Sequence, residues 1–157
     1  TAGPPTVSGI LDRNPQVPQP PAAPDTVHID LEHPLRLRRK NQYLKPAEFD
    51  FGTFFTTLIR RISMLHALTG GPPLEMDAAA LASHARGISC QPHHLNWHDW
   101  ARESARQKKR IPMGGIIGSV QLSGDIAPLW PWLWAGQWLH VGKGAVMGLG
   151  RYQLRYA

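Results

Sequence analysis

An α+β fold built on one antiparallel sheet is predicted for this chain by three observations. Apolar and polar residues alternate strictly in TVHIDLEHPLRLRRK and again in RYQLRYA, the mark of half-buried strands. Between them, FDFGTFFTTLIRRISMLHAL repeats its apolar residues at helical spacing. Turn-forming residues then divide what remains into short segments whose order sets the topology.

Residues 1–25 are rich in proline and poor in large apolar side chains. They read as an extended linker with no core of its own, and residues 26–157 as the folded domain. In the first strand Val27, Ile29, Leu31, Leu35 and Leu37 share one parity, and His28, Asp30, Glu32, Arg36 and Arg38 the other. Pro34 predicts an edge or a bulge there. The helix follows, with Phe51, Phe55, Leu58, Ile62 and Leu65 on one face, Asp50 as its cap and Gly70-Gly71-Pro72-Pro73 as its stop. A shorter helix runs from Asp77 to Arg86 and stops at Gly87. ISCQPHHLNW reads as a strand, ARESARQKKR as a charged connection, and IPMGGIIGSVQL as a strand with Ile116, Val120 and Leu122 facing one way. Ser123-Gly124-Asp125 makes a turn, and Pro128 suits the first turn of the tryptophan-rich helix APLWPWLWAGQWLH. Tyr152, Leu154 and Tyr156 alternate with Arg151, Gln153 and Arg155 in the last strand. The order βαββαβ, with one extra short helix, is ferredoxin-like. It is a four-stranded antiparallel sheet with helices on one face and the other face open, the face many RNA-binding modules use.

The net charge is +6 and the pI about 10.0, which favours an anionic partner. A single cysteine, Cys90, excludes an internal disulfide and fits a reducing, cytoplasmic setting. No stretch is long enough to span a bilayer, so no membrane partner is expected, and no signal-peptide pattern opens the chain. It begins at Thr1 rather than Met, which fits a fragment of something longer.

LHVGKGAVMGLGRYQL is a glycine-rich loop between a helix and a strand. It lacks the spacing of a P-loop, and the order helix–loop–strand excludes a dinucleotide fingerprint. Arg102, Arg106, Lys108, Lys109 and Arg110 sit on a projecting hairpin, where cations could grip phosphates without reading sequence. Cys90, His93, His94 and His98 are competent metal ligands, but a zinc site draws a second pair from a distant segment, and on a regular strand His93 faces away from His94 and His98. No metal site and no cofactor are expected. Trp130, Trp134 and Trp138 form one helical stripe, read as core rather than as a base-stacking platform. Two histidines, His66 and His140, are to be weighed for acid–base work on RNA. His140 stands at the loop entrance, but a helix C-terminus also suits a structural histidine, and a structural role is the better reading.

The glycine-rich segment resembles the motif that closes the CRISPR precursor-RNA processing endoribonucleases of the RAMP superfamily. PLRLRRKNQYLKPAEFDFGTFFTTLIRRISMLHALTGG and WHDWARESARQKKRIPMGGIIGSVQLSGDI resemble the strand, first helix and central hairpin of the same C-terminal domain. The resemblance implies two ferredoxin-like domains in tandem, of which this chain holds the second. It implies metal-independent cleavage of CRISPR repeat RNA by the 2′-hydroxyl, with the acid–base histidine most often in the first domain. No catalytic residue carries over, and His140 remains the one candidate. RNA contact carries over to Gly142, Lys143, Gly144, Gly148, Gly150 and Arg151, and to Arg106, Lys108, Lys109 and Arg110. The partners implied are CRISPR repeat RNA, an N-terminal ferredoxin-like domain of the same protein, and other CRISPR-associated proteins. Two further readings fit the same residues: a non-catalytic RAMP subunit that holds guide RNA in an effector complex, and a small-molecule-binding ferredoxin-like domain.

Overall fold

Alternation at the start of the folded region produces a central strand, β1 (Thr26–Leu35), which buries Val27, Ile29 and Leu31 on one side. The computed structural model describes residues 18–157; the earlier part of the expected linker lies outside the described residues. Register against the neighbouring strand shifts between Leu31 and Leu35, around Pro34, which has no N–H to give to the ladder. β1 therefore ends before the alternation does. RLRRK enters instead a small hairpin of β2 (Arg38–Arg39) and β3 (Gln42–Tyr43).

Two aspartates start the next two helices. Asp50 accepts the Thr53 N–H at 3.0 Å and opens α1 (Phe51–Ala67), whose Phe51, Phe54, Phe55, Leu58, Ile59 and Ile62 are buried. Asp77 accepts the Ala80 N–H at 3.0 Å and opens α2 (Ala78–Arg86), which packs on α1. The chain continues through β4 (Ser89–His98), β5 (Ala101–Ser104), β6 (Lys109–Pro112), β7 (Gly115–Ser123), α3 (Trp130–Leu139) and β8 (Tyr152–Tyr156). The main sheet has the order β4-β7-β1-β8 and is antiparallel throughout. With β4, β7 and β8 as the second, third and fourth strands, this is the ferredoxin-like order. Ile29, Val120, Leu122 and Leu154 meet Phe54, Phe55, Leu58 and Leu133 in one core. The Tyr152 hydroxyl, buried among them, donates to the Leu133 carbonyl at 2.7 Å and ties β8 to α3. The opposite face is polar and open. Its cross-strand rows are Arg155–His28–Gln121–Gln91 and Gln153–Asp30–Ser119–His93.

Four local expectations change. The charged connection is itself a two-stranded ribbon, β5 paired with β6, joined by a turn over 105–108. Pro131, not Pro128, occupies the first turn of α3, and Pro128 lies in the turn before it. The tryptophan stripe is not uniformly core: Trp130 is 2% exposed, Trp134 half-buried and Trp138 50% exposed. Leu133 and Gly136 of α3 are buried, and Trp130 and Trp134 lie against Tyr156, so the stripe lies toward the β8 edge. Finally, His94 adopts φ 52° in a bulge of β4, which shifts the parity beyond it. His93 and His98 consequently share the open face, while Cys90, paired with Leu122, stands on the helix side. Among the described residues no group of three or more His, Cys, Asp or Glu is placed to hold a metal ion.

Candidate nucleic-acid interface

The glycine-rich segment leaves α3 at Leu139 and enters β8 at Tyr152, with one short 3-10 turn at Ala145–Met147 between them. Close backbone packing accounts for much of its glycine. A Cβ at Gly142 would stand 2.5 Å from the Arg36 carbonyl oxygen, and one at Gly150 would overlap the Val141 carbonyl oxygen. At Gly144 a Cβ would press on the buried Leu149 side chain at 2.7 Å. Gly148 differs: its φ is +89°, and nothing lies within 4 Å of where a Cβ would be. Backbone bonds tie the loop to the end of β1. The Lys143 N–H donates to Arg36 O at 2.9 Å, Gly150 N–H to Pro34 O at 3.0 Å and Val141 N–H to Gly150 O at 3.0 Å. The Lys143 side chain is left exposed.

The four hairpin cations to which RNA contact carries over, Arg106, Lys108, Lys109 and Arg110, are exposed on the β5–β6 ribbon and its turn, as is Arg102 on β5. Among the described residues, ion pairs engage Arg39, His84, Arg151 and Arg155 and none of these four. Arg151 pairs with Glu32 at 3.2 Å, so part of its charge is already answered within the fold. On the open face Arg155 hydrogen-bonds Asp30, which holds that carboxyl below its ordinary range against the effect of burial.

Sequence reasoning missed the residue that connects the two basic parts. Arg36 donates from Nε to the Gly114 carbonyl and from Nη2 to the Pro112 carbonyl at 2.9 Å, while its own carbonyl accepts from Lys143. One residue of the β1 end thus braces the foot of the ribbon and the glycine loop. Its guanidinium also lies over Tyr43, 4.9 Å from the ring centroid. A cleft of about 620 Å³ opens beside it, lined by Met147, Gly148 and Leu149 from the loop, Trp100 at the foot of the ribbon, and His33 and His98. Trp100 is 42% exposed. The wall therefore offers an exposed indole, two imidazoles and loop backbone, with one acid, Glu32, at its side; Lys143 and the ribbon cations stand outside it.

His140 caps α3 with φ 61°, next to the loop as expected. Burial lowers its proton affinity below the ordinary imidazole range; the charges of His33, Arg151 and Arg61 add to this, and a backbone hydrogen bond with Leu149 opposes it. It is not alone. His33, 115 residues from Gly148, meets that residue's carbonyl through Nδ1 at 2.8 Å, and the His33 and His140 rings are 6.5 Å apart, edge to face. No sequence signal pairs residues so far apart. His66 is distant from this loop in function: its Nε2 meets the Pro72 carbonyl at 2.8 Å and holds the end of α1.

No curated protein matches the chain. Solved structures of similar fold include a Thermus thermophilus Cas6, 16% identical over 84% of this chain and 54% of that one, with a TM-score of 0.59. A Cas6 product complex is 16% identical over 87% and 53%, with a TM-score of 0.60. A chain of a partial Cas6-RT-Cas1–Cas2 complex is 17% identical over 87% and 23%, with a TM-score of 0.61. At such identities the likeness is one of fold, and the chain spans just over half of the first two and 23% of the third. The family model for the CRISPR-associated endoribonuclease Cas6 matches residues 29–152, and the chain belongs to that family.

Proposed function

We propose that this chain is the RNA-holding C-terminal part of a CRISPR repeat-RNA endoribonuclease, with residues 26–157 as its second ferredoxin-like domain. The observation that carries the reading is that Arg36 ties the glycine loop to the foot of the basic ribbon, while the loop and Trp100 share the wall of one cleft. Lys143, Lys108, Lys109, Arg110 and Arg106 supply charge to the RNA backbone, and Arg151 supplies less because Glu32 already pairs with it. Gly148 is the loop position where backbone can approach a sugar–phosphate without displacing protein. Cleavage needs an acid and a base on opposite sides of one phosphodiester, and a preceding domain supplies at least one of them.

The test is a titration of labelled CRISPR repeat RNA against the full chain at several salt concentrations. Replacing Lys108, Lys109 and Arg110 together by alanine removes three exposed charges. The slope of log affinity against log salt then flattens by about 2, at about 0.7 per single-strand phosphate contact. An unchanged slope with unchanged affinity refutes the ribbon as an RNA contact.

A further inference from the structure

The cleft that the glycine loop shares with Trp100 has little charge to offer. Of its lining side chains Glu32 alone carries a fixed charge, and Glu32 pairs with Arg151 at 3.2 Å. A phosphate brought inside would lose its hydration without meeting a cation there, which is costly. The walls suit a neutral, flat group instead. Pro34, Ile117 and Met147 make them largely apolar, and the indole of Trp100 supplies one broad face. His33 adds a polar point. Its Nδ1 meets the Gly148 carbonyl at 2.8 Å, and a carbonyl only accepts, so the proton sits on Nδ1. Nε2 of the neutral ring is then left to accept.

Trp100 is free to serve a ligand where other tryptophans are engaged. Trp130 and Trp134 donate their Nε1–H groups to the Pro21 and Pro18 carbonyls, at 2.8 and 2.7 Å, and so hold a proline-rich strap before β1. Trp97 donates to Asp99 at 2.8 Å. The Trp100 ring has no such tie among the described residues and is 42% exposed, yet its backbone is fixed: its carbonyl accepts from the Met113 N–H at 2.8 Å. An indole on a held backbone has only two side-chain torsions to lose, so stacking on it costs little ordering. We propose, resting on the RNA-holding role of the domain, that this cleft takes one unpaired nucleobase of the RNA, stacked on Trp100 with a base N–H toward His33. Splayed-out bases are read in this way, by an aromatic face and a hydrogen bond to the base edge. At about 620 Å³ the cleft has room for a nucleoside. Gly148, in its wall and with open space where a Cβ would be, admits the attached sugar. The cations outside the cleft then hold the neighbouring phosphates.

CRISPR repeat RNA carrying one abasic site at each position in turn, titrated against the full chain and its Trp100→Ala and Trp100→Phe variants, tests this. Trp100→Ala is expected to weaken binding of the intact RNA by roughly tenfold to a hundredfold, the worth of one stacked base, and Trp100→Phe to keep most of the affinity. Neither variant changes the slope of log affinity against log salt, since no phosphate contact is lost. One abasic position is expected to weaken binding to the unaltered chain and to make no further difference in Trp100→Ala, as for two groups in direct contact. Full affinity in Trp100→Ala overturns the base site. So does a loss in that variant to which every abasic position adds independently, or one that flattens the salt slope, because Trp100 then acts through the ribbon. Each of these results leaves the RNA-holding role standing; an unaltered chain that does not bind repeat RNA removes both.

Discussion

Gly150→Ala and Gly148→Ala, compared in the same chain, separate the structural glycines of the loop from the one open to a ligand. Both positions have left-handed backbone, φ +69° and φ +89°, so alanine carries a strain of about 1–2 kcal/mol at either. At Gly148 nothing lies within 4 Å of the new Cβ, and that strain is the whole effect. At Gly150 the new Cβ overlaps the Val141 carbonyl oxygen, and the backbone must retreat. Its retreat disrupts the bonds from Val141 N–H to Gly150 O and from Gly150 N–H to Pro34 O, both 3.0 Å. Each strands a buried polar group at about 1–3 kcal/mol, so the total reaches about 4 kcal/mol or more, a large share of a domain's 5–15 kcal/mol. Urea denaturation followed by tryptophan fluorescence reads this directly. With a slope of about 1–3 kcal/mol/M, Gly150→Ala moves the midpoint by well over about 1 M and Gly148→Ala by a fraction of that. RNA titration on the folded variants completes the comparison: Gly148→Ala weakens binding while the fold persists. Equal destabilisation at the two sites refutes the packing account, and full RNA affinity in Gly148→Ala refutes Gly148 as a point of close approach.

Burial, with the Asp50 charge second, pushes the Cys90 thiol up to about 11. Iodoacetamide at pH 8 should therefore alkylate it about two orders of magnitude more slowly than a free thiol until urea unfolds the chain. For His140 the folded chain holds a proton less tightly than the unfolded chain, whose imidazole titrates near 6.5. The unfolded state then binds more protons as pH falls below 6.5, so stability declines there and is level above it; thermal midpoints measured from pH 7.5 to 5 should fall less in His140→Asn than in the unmodified chain. Incubated alone with labelled repeat RNA in EDTA, the chain should bind and leave the RNA uncut; site-specific cuts that vanish in His33→Ala or His140→Ala would place the acid–base pair within this domain instead.

Where one side of an element meets the core, the sequence disclosed it. Val27, Ile29 and Leu31 alternate because β1 is covered on one face only, and the face of α1 follows the same logic at a different period. Asp50 and Asp77 mark their helix starts because capping is local chemistry. The β5–β6 ribbon gave no comparable pattern. It stands in solvent, with no buried side to alternate against, and its charges hide its strands. The β4 bulge at His94 is likewise invisible, and it reverses the facing of every later residue in that strand. The tryptophans show a further limit. A four-residue repeat says that three rings share a stripe; whether the sheet or a proline-rich strap covers them is decided by a helix rotation that no local spacing encodes.

The candidate interface follows the same division. Its cations were legible as a run, since charge needs no fold to be counted. What makes them a site is Arg36, whose bonds reach Pro112, Gly114 and Lys143, residues between 76 and 107 positions away. In sequence Arg36 is one basic residue among RLRRK, and its parity on β1 promised only a polar face. Its role arises because β1 ends at the Pro34 bulge, which turns the following residues out of the sheet and between two loops. The glycines show the reverse. Their pattern announced a ligand cradle, yet Gly142 and Gly150 are small because the β1 end and the loop's own backbone press against them. The same packing that requires glycine there keeps the loop in one shape, with Lys143 outward and Gly148 open to the cleft. On the proposed RNA reading, a phosphate chain would meet a rigid edge rather than a flexible one, and binding would lose little to ordering the loop.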